Sequence, residues 1–548
     1  MKLKSISEFI QRQIIECQKG GLKVVKQKYI ILLPLLLSLI LPIPLQIILS
    51  KIICIFFGKV ISYFPKAQWA YAGILPQIYF QMNYGSCAFK RVKDPSTGES
   101  QTNFTLHYGS TPYKSARQFL KYLYPYLKLN PECILEWRLI AYTSCWLLDD
   151  HKGMQEMMQA YIDTQNFLAK QHGIDFLNFR LANDIFFANY NVHGFLDTHI
   201  KAMLLGWAPK ARIVALIDDE QMKEVKNPWM LKYWQKYVDV VSDQKGQRLL
   251  SRFSPYFLDD LTVTANLNGK ATLIEFARCI VQKQWEKEKR KPLLEFDQDD
   301  IFYGREMMLK LGLPKDAWFV SLHVRDAGFK TGSYLNVESD GYRNADIDTY
   351  YEAINTIINR GGYVVRVGDP NMKPVKPMRG LIDYAHSQIR SNRLDIFLFT
   401  QCRFFIGTSS GPILTPFLFG VPVVGTNIAP LIQRLHSGNS LIIHKLIWDT
   451  KNSRYLSFHE AFSSEIGKTY TINAYQEREL CIIDNTPEDL ADVTKEMMDI
   501  LDGNLQYSND DDLLQDRINQ IYREFCGFGD IGRFGRNFLI KLAKQGML

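Results

Sequence analysis

The chain has 548 residues, of which 47% are hydrophobic and 22% charged, a globular composition that excludes a largely disordered protein. Its net charge of +8 is modest for this length, and no zinc-ligand spacing or RNA-binding signature accompanies it, so we expect no nucleic-acid partner. The nine cysteines include no Cys-x-x-Cys pair, which indicates a reducing compartment rather than a disulfide framework.

Residues 1–64 form a basic lead followed by an apolar segment. Residues 29–50 contain no charged side chain and are long enough to span a bilayer. Three prolines between residues 34 and 44 interrupt a straight helix. The alternatives are a single span, a re-entrant or interfacial hairpin bent at 41–44, and a buried core helix, which the long charge-free run disfavours. We favour the hairpin, because it keeps the rest of the chain on the side of the basic lead. The segment predicts association with a membrane.

Residues 65–172 combine an aromatic, Gly/Ser-rich linker with a helical region that begins near residue 115. Beyond them, apolar segments at 184–189, 212–217 and 237–241 alternate with helical patterns. This alternation is typical of a parallel sheet covered by helices. The sequence therefore predicts a first Rossmann-like domain over 173–295.

The first strand of that domain leads into a predicted loop at 191–194, where Gly194 would let the backbone approach a ligand. A helix is expected from Asp197. His193, Asp197 and His199 could each supply a general base there. The alternatives are that Asp197 caps the helix and that the histidines are structural.

Residues 318–426 contain the clearest α/β pattern of the chain. Apolar strands are predicted at 318–322, 363–367, 403–406 and 422–424, with helical patterns between them. Such continuous apolar runs predict a buried parallel sheet, within a second Rossmann-like domain over 296–510. Residues 511–548 are amphipathic and predict closing helices. The fold class is therefore α/β, with two Rossmann-like domains.

Polar residues follow these strands at the edge where parallel sheets bind ligands. They are His323, Arg325, Asp369, Thr408, Ser409, Ser410 and Gly411. Hydroxyls and amides at the start of the apolar helix expected at 412–419 could hold an anion, and the Arg325 fork could clamp a phosphate. The alternative is that Ser and Thr cap the helix while Arg325 pairs with Asp326.

Two further residues belong to this predicted site. Asp326 could act as a base or orient Arg325, and Arg343 lies in a polar loop that could line a donor pocket. No Asp-x-Asp motif that would hold a metal stands at the strand ends, and the Asp-Ile-Asp at 346–348 fits helix capping better. We therefore expect neither a bound metal nor a cofactor.

The motif order resembles a family of bacterial glycosyltransferases over about residues 170–548. The motifs are His-Val-Arg-Asp at 323–326, Val-Gly-Asp at 367–369 and Phe-Ile-Gly-Thr-Ser-Ser-Gly at 405–411. Their layout is also similar to that of α1,6-fucosyltransferases and protein O-fucosyltransferases, which have the GT-B fold. The resemblance therefore implies two Rossmann-like domains facing a cleft. In those enzymes the arginine contacts the donor diphosphate and the Ser/Thr turn helps to hold it. The resemblance implies these roles for Arg325 and for the turn at 408–410.

This resemblance implies a nucleotide-sugar donor, a glycan or lipid-linked acceptor, and metal-independent transfer in surface polysaccharide or lipopolysaccharide synthesis. It further implies that 511–548 returns to the first domain and that the catalytic domains are cytoplasmic, at the inner membrane. Fucosyltransferases often have a second arginine where this chain has Asp326, so the donor sugar stays open. A non-catalytic scaffold of glycan assembly and an epimerase-like enzyme are the alternatives.

Overall fold

The chain forms two compact units, Met1–Asp175 and Phe176–Leu548. The computed structural model describes residues 89–93, 100–104, 151–182, 191–257, 264–330, 341–435, 437–469, 472–527, 529 and 531–548. In the first unit, the described elements are the antiparallel strands β1 (Phe89–Lys93) and β2 (Ser100–Phe104) and the helix α1 (His151–Gln171).

The predicted membrane-associated segment at 1–64 lies outside the described residues. Within the part of the chain that the structure describes, no helix has both the length and the apolar character needed to cross a membrane.

The second unit opens with a small parallel sheet. Its strands, in the order β3-β4-β5, are β3 (Phe179–Ala182), β4 (Arg212–Leu216) and β5 (Val238–Val241). The helices around it are α2 (Asn191–Leu204), α3 (Asp219–Glu224), α4 (Trp229–Trp234), α5 (Gln244–Ser251) and α6 (Ser254–Phe257). The strands predicted at 212–217 and 237–241 are confirmed, and the one predicted at 184–189 lies outside the described residues.

The start of α2 corrects one prediction. The helix begins at Asn191, so the predicted loop at 191–194 is its first turn, and Asp197 lies inside the helix rather than at its cap. The reason is burial, since Leu196 and Ile200 are four residues apart and both enter the core. Gly194 therefore forms no turn toward a ligand.

A hairpin and two helices follow the small sheet. They are β6 (Thr264–Leu267), β7 (Lys270–Leu273), α7 (Ile274–Lys287) and α8 (Gln298–Lys310). Asn268 and Gly269 both have positive φ at the hairpin turn. A two-residue type I′ turn requires this conformation, which Asn-Gly adopts readily.

The remaining strands build a large sheet and a small one. They are β8 (Phe319–His323), β9 (Tyr363–Arg366), β10 (Leu381–Asp383), β11 (Phe405–Gly407), β12 (Val423–Ile428), β13 (Leu441–His444), β14 (Leu446–Asp449), β15 (Arg454–Tyr455), β16 (Leu480–Ile483) and β17 (Arg533–Phe534). The large sheet is parallel throughout, in the order β10-β9-β8-β11-β12-β13-β17. β15, β14 and β16 form the small antiparallel sheet.

The helices that follow α8 are α9 (Tyr351–Asn359), α10 (Asn392–Thr400), α11 (Thr415–Leu418), α12 (Phe458–Ser463), α13 (Ile472–Gln476), α14 (Pro487–Leu501), α15 (Asn509–Cys526) and α16 (Arg536–Lys544). α14 packs on β12, β13 and α9, and α15 and α16 pack on each other. Every residue of β8, β11, β12 and β13 is buried, as expected for strands covered on both faces. The predicted α/β fold with a buried parallel sheet is confirmed.

A buried carboxylate joins the helices of the two sheets. Asp300 on α8 accepts hydrogen bonds from Trp229 Nε1 at 3.0 Å, from Lys232 Nζ at 3.1 Å and from the Tyr233 hydroxyl, all on α4. Arg393 on α10 donates to it through Nε at 2.7 Å. The Asp300 side chain is 1% exposed, so these four donors replace its hydration. Asp300 therefore fixes α4 against α8 and α10.

Candidate functional site

The carboxyl edge of the seven-stranded sheet carries the polar residues predicted from the sequence. Arg325 lies two residues after β8, and the turn at 408–411 follows β11 directly. β8 and β11 are hydrogen-bonded neighbours, with Gly407 paired to His323. Their polar ends are therefore adjacent, as parallel pairing requires.

Arg325 is held from two loops. Its backbone N–H donates to Thr408 Oγ1 at 3.0 Å, and its carbonyl accepts from the backbone N–H of Ala345 at 2.9 Å. Its guanidinium donates to Asn344 Oδ1, and the residue is only 4% exposed. The cation is thus fixed in position before any ligand arrives.

His323 ties the turn after β11 to the end of β8. Its Nδ1 lies 3.0 Å from Ser410 Oγ, and its carbonyl accepts from the backbone N–H of Thr408 at 3.2 Å. Burial, together with the charges of Arg366 and Arg325, lowers the pKa of His323 to about 3. The ring is therefore neutral, and it positions Ser410 without adding charge to the site.

The Ser/Thr turn does not cap a helix, so the alternative interpretation of this turn is wrong, whereas anion binding stays a prediction. None of its hydroxyls caps the next helix, because Ser409 Oγ accepts from the backbone N–H of Ala429 at 2.9 Å and Ser410 Oγ donates to the Thr408 carbonyl. The segment expected as one helix is a 3₁₀ turn, Gly411–Leu414, followed by the single turn of α11. A helix dipole adds little here, so anion binding would depend on hydroxyls and amides directly.

Asp326 joins two loops instead of facing Arg325. Its Oδ1 accepts from the backbone N–H of Gly328 at 2.8 Å, and its Oδ2 accepts from that of Lys373 at 2.7 Å. A methyl group at Gly328 would overlap the carbonyl oxygen of Asn371, so only glycine permits this approach. Both carboxylate oxygens are already used, which leaves the predicted base role without support from the geometry.

The other predicted donor-side residues lie in loops beside these elements. Asp369 is half-buried, and its Oδ1 accepts from the backbone N–H of Asn371 at 2.9 Å, as in a turn. The Arg343 guanidinium lies over the Tyr342 ring at 5.9 Å. Asp346 accepts from the backbone N–H of Asp348 at 3.1 Å, which confirms the predicted helix cap at 346–348.

The acceptor-side candidates lie on α2, which packs against the segment from Gly411 to Leu418. His193 Nδ1 accepts from Trp234 Nε1 at 3.0 Å, and burial lowers the pKa of His193 to about 3. Asp197 Oδ2 pairs with Lys201 Nζ at 2.7 Å, whereas its Oδ1 is buried without a hydrogen bond in the described structure. His199 is also buried, at 8% exposure.

Lys445, the first residue after β13, is not among the site residues predicted from the sequence. It is 3% exposed, and its Nζ lies 2.7 Å from Asp484 Oδ1 and donates to the Asn344 carbonyl. Burial, offset in part by Asp484, lowers its pKa. The rule that selected Arg325, a polar residue directly after a buried strand, also applies to Lys445.

Two asparagines, also missed, shape the same edge. Asn427 accepts on its side-chain oxygen from the backbone N–H of Asn485 at 2.7 Å, and Asn485 accepts in the same way from Asn427 at 2.6 Å. Asn427 Nδ2 also donates to the Tyr350 hydroxyl at 3.0 Å. This reciprocal pair fixes the end of β12 against the loop after β16.

The buried histidines make stability depend on pH. His193, His323 and His444 each have a pKa lowered to about 3 by burial, so they take up protons only on unfolding below about pH 6.5. Burial raises the pKa of Glu496 to about 7 and that of Asp395 to about 6, which has the opposite effect. Near pH 5, unfolding lets the three histidines gain protons and the two carboxyl groups lose them, so unfolding takes up roughly one net proton.

We therefore expect the free energy of unfolding to fall by about 1.4 kcal/mol per pH unit between about pH 6 and pH 5. His193→Gln removes one of the three histidine protons, so the free energy of unfolding should change little between about pH 6 and pH 5. Urea unfolding of both proteins at the two pH values measures the slopes. Equal slopes in the two proteins would contradict a buried, neutral His193.

The described residues contain no group of three or more His, Cys, Asp or Glu side chains placed to hold a metal ion. The expectation of metal-independent chemistry stays a prediction.

No protein-family model matches the chain, and no curated protein matches it. Among solved structures, the chain is similar to an ADP-heptose lipopolysaccharide heptosyltransferase II from E. coli, over 49% of this chain and 91% of that one, with 10% identity and a TM-score of 0.31. It is also similar to a family 9 glycosyl transferase from Veillonella parvula, over 53% of this chain and 89% of that one, with 13% identity and a TM-score of 0.28. At these TM-scores, family and activity have to be argued from this chain's own residues.

Proposed function

We propose that this protein is a glycosyltransferase of the GT-B type that moves a sugar from a nucleoside diphosphate donor to a glycan or lipid-linked acceptor. The first Rossmann-like domain is 173–295 and the donor domain is 296–510, with the closing helices at 511–548. The setting is surface polysaccharide or lipopolysaccharide synthesis at the cytoplasmic side of the inner membrane, where residues 1–64 associate with the bilayer.

One observation carries the proposal. Arg325 and the hydroxyl-rich turn at 408–411 stand at the carboxyl ends of adjacent parallel strands, and Thr408 Oγ1 joins the two by a hydrogen bond of 3.0 Å. This is the edge at which open α/β sheets bind ligands. A buried guanidinium beside hydroxyls and amides matches the oxygens of a phosphate group.

The reaction that suits this site is displacement of the nucleoside diphosphate from the sugar. As the bond between the sugar carbon and the phosphate oxygen breaks, negative charge develops on the leaving phosphate. Arg325 would neutralise this charge from a position that is fixed in advance, which is the least costly form of electrostatic stabilisation. Ser410, held by His323 at 3.0 Å, would donate to the same phosphate by turning its hydroxyl proton away from the Thr408 carbonyl.

The acceptor hydroxyl has to lose a proton, and Asp197 is the preferred base among the candidates on α2. His193 already uses Nδ1 to accept from Trp234, and its pKa is too low for it to bind a proton near neutral pH. Asp197 keeps one carboxylate oxygen without a hydrogen bond in the described structure. Its other carboxylate oxygen pairs with Lys201 Nζ at 2.7 Å, which holds the side chain in position.

A nucleotide panel tests the proposal. The full-length protein is heated with UDP, GDP, CDP, ADP or CMP at millimolar concentration, and the unfolding midpoint is recorded. A nucleotide present at about 100 times its dissociation constant stabilises the native state by about 2.7 kcal/mol, so one nucleoside diphosphate should raise the midpoint by several degrees. No shift with any of the five would contradict the proposal and favour a non-catalytic scaffold.

A positive result then needs a second measurement. The protein is incubated with the sugar conjugate of the nucleotide that binds. Transfer to a lipid-linked acceptor distinguishes a transferase from an epimerase-like enzyme, which would change the sugar without transferring it.

A further inference from the structure

A second buried cation, Lys445, contacts the same asparagine as Arg325. In the sheet order, β11 and β12 separate β8, which carries Arg325, from β13, which carries Lys445. Despite this separation both cations reach Asn344: Arg325 donates to its side-chain oxygen and Lys445 to its carbonyl. Two positive groups from distant strands therefore converge on the two oxygens of a single residue.

Lys445 retains hydrogen-bonding capacity. An ammonium group has three N–H donors, and the described structure gives this one two acceptors, the Asn344 carbonyl and Asp484 Oδ1 at 2.7 Å. The residue is 3% exposed, so bulk water does not satisfy the third donor cheaply. A buried ammonium with an unused donor beside an anion site points to a ligand.

The two cations of this cluster come from different strands, an arrangement that suits a diphosphate better than a single phosphate. Arg325 and Lys445 contribute two positive charges, and Asp484 contributes one negative charge. Asn344 offers both cations only neutral oxygens, and phosphate oxygens are stronger acceptors because hydrogen bonds between charged groups are about twice as strong as neutral ones. A bridging diphosphate could contact each cation through a different phosphate.

We propose that Lys445 is the second cation of the diphosphate site, and that the two oxygens of Asn344 occupy the cations until phosphate oxygens replace them. This inference rests on the proposed function and adds a binding residue to it. Arg325 then binds one phosphate of the donor and Lys445 the other, so the site selects nucleoside diphosphates over monophosphates.

Binding should also change the protonation of Lys445. Burial and the charge of Arg325 lower its pKa in the free protein, while Asp484 raises it. A diphosphate adds negative charge next to the ammonium and raises the pKa further. At alkaline pH, nucleotide binding is therefore expected to take up a proton.

The test is calorimetric titration of the full-length protein with ADP, GDP, UDP and CDP and with the corresponding monophosphates. The variants are Lys445→Met, Lys445→Arg, Arg325→Ala and the control Lys541→Met. Lys541 also pairs with a carboxylate, that of Asp489 at 2.7 Å, but on helices α16 and α14. The unfolding midpoint of each variant is measured without nucleotide, to verify that it folds.

Lys445→Met is expected to weaken binding of the tightest-binding nucleoside diphosphate about 10- to 100-fold, since one charged hydrogen bond to the diphosphate is lost. Binding of the corresponding monophosphate should weaken about threefold or less. Lys445→Arg should recover part of the affinity, and Lys541→Met should bind like the unaltered protein. A folded Lys445→Met that binds diphosphates normally, while Arg325→Ala does not, overturns the role of Lys445 and leaves the proposed function standing. Failure of the unaltered protein to bind any nucleotide overturns both.

If Lys445→Met does not fold, the unaltered protein and Lys445→Arg decide the question. Each is titrated with the tightest-binding nucleoside diphosphate at a series of alkaline pH values, in two buffers of different ionisation enthalpy, which gives the number of protons taken up. Uptake that Lys445→Arg abolishes supports the proposal, because an arginine stays charged at alkaline pH. Binding by the unaltered protein without proton uptake at any of these pH values, together with unchanged affinity in Lys445→Arg, overturns it.

Discussion

Arg325→Ala is expected to weaken nucleoside diphosphate binding about 100-fold and to lower turnover with the cognate sugar donor at least as much. Arg325 supplies a buried, positioned guanidinium, and a paired charge-assisted contact to phosphate contributes about 3 kcal/mol. Turnover falls as well because negative charge on the phosphate increases in the transition state. Calorimetry gives the loss of affinity, and steady-state kinetics gives the loss of kcat.

Two further variants make this result specific. Arg325→Lys keeps the charge but not the planar fork, so it should recover only part of the lost affinity. Arg403→Ala is the matched control, because Arg403 precedes β11 at the opposite edge of the same sheet, where its guanidinium lies 4.6 Å from the Trp318 ring and pairs with Asp502. Nucleotide binding in Arg403→Ala should be unchanged. Normal binding and turnover in Arg325→Ala would remove Arg325 from the site.

Asp300→Ala is expected to lower the free energy of unfolding by about 3 kcal/mol, the largest stability effect that we predict for a single side chain. Removing this carboxylate leaves Arg393 and Lys232 without their shared acceptor and leaves the side-chain donors of Trp229 and Tyr233 unpaired. Breaking a buried charge network by removing one partner typically costs about 3–5 kcal/mol, and the partial exposure of the two cations favours the lower figure. Urea unfolding measures the change.

Asp299→Ala provides the comparison for Asp300. The two carboxylates are adjacent on α8, but Asp299 is exposed. Its loss should change stability by about 0.5 kcal/mol or less. Equal effects of the two substitutions would show that Asp300 does not act as the junction between α4, α8 and α10.

The proposed site relies on neutral groups to position its cations. His323 is neutral at physiological pH and orients Ser410, while Thr408 Oγ1 accepts from the backbone of Arg325 at 3.0 Å. Asp326 accepts hydrogen bonds from two backbone amides of the adjacent loops. The proposed site uses Arg325 and Lys445 as its binding cations, and Asp484 lies 2.7 Å from Lys445.

The amino-acid sequence determined the elements whose pattern is local. β8, β9 and β13 are mainly apolar because both faces of a parallel sheet are buried, so their hydrophobicity is visible without the fold. The capping box of α14, with Thr486 before Pro487 and Asp489 three residues after the cap, is likewise contained in adjacent residues. Arg325 and the turn at 408–411 could be selected because ligands bind where such strands end.

Only the tertiary structure decided which polar residues meet. Asn344 and Lys445 are about a hundred positions apart and come together because β13 lies in the same sheet as β8. The environment of His193 could not be predicted from the sequence either, because Trp234 on α4 reaches it only through the packing of α4 against α2. Burial then fixes the charge of His193, because desolvation depends on every neighbouring element and not on the adjacent residues.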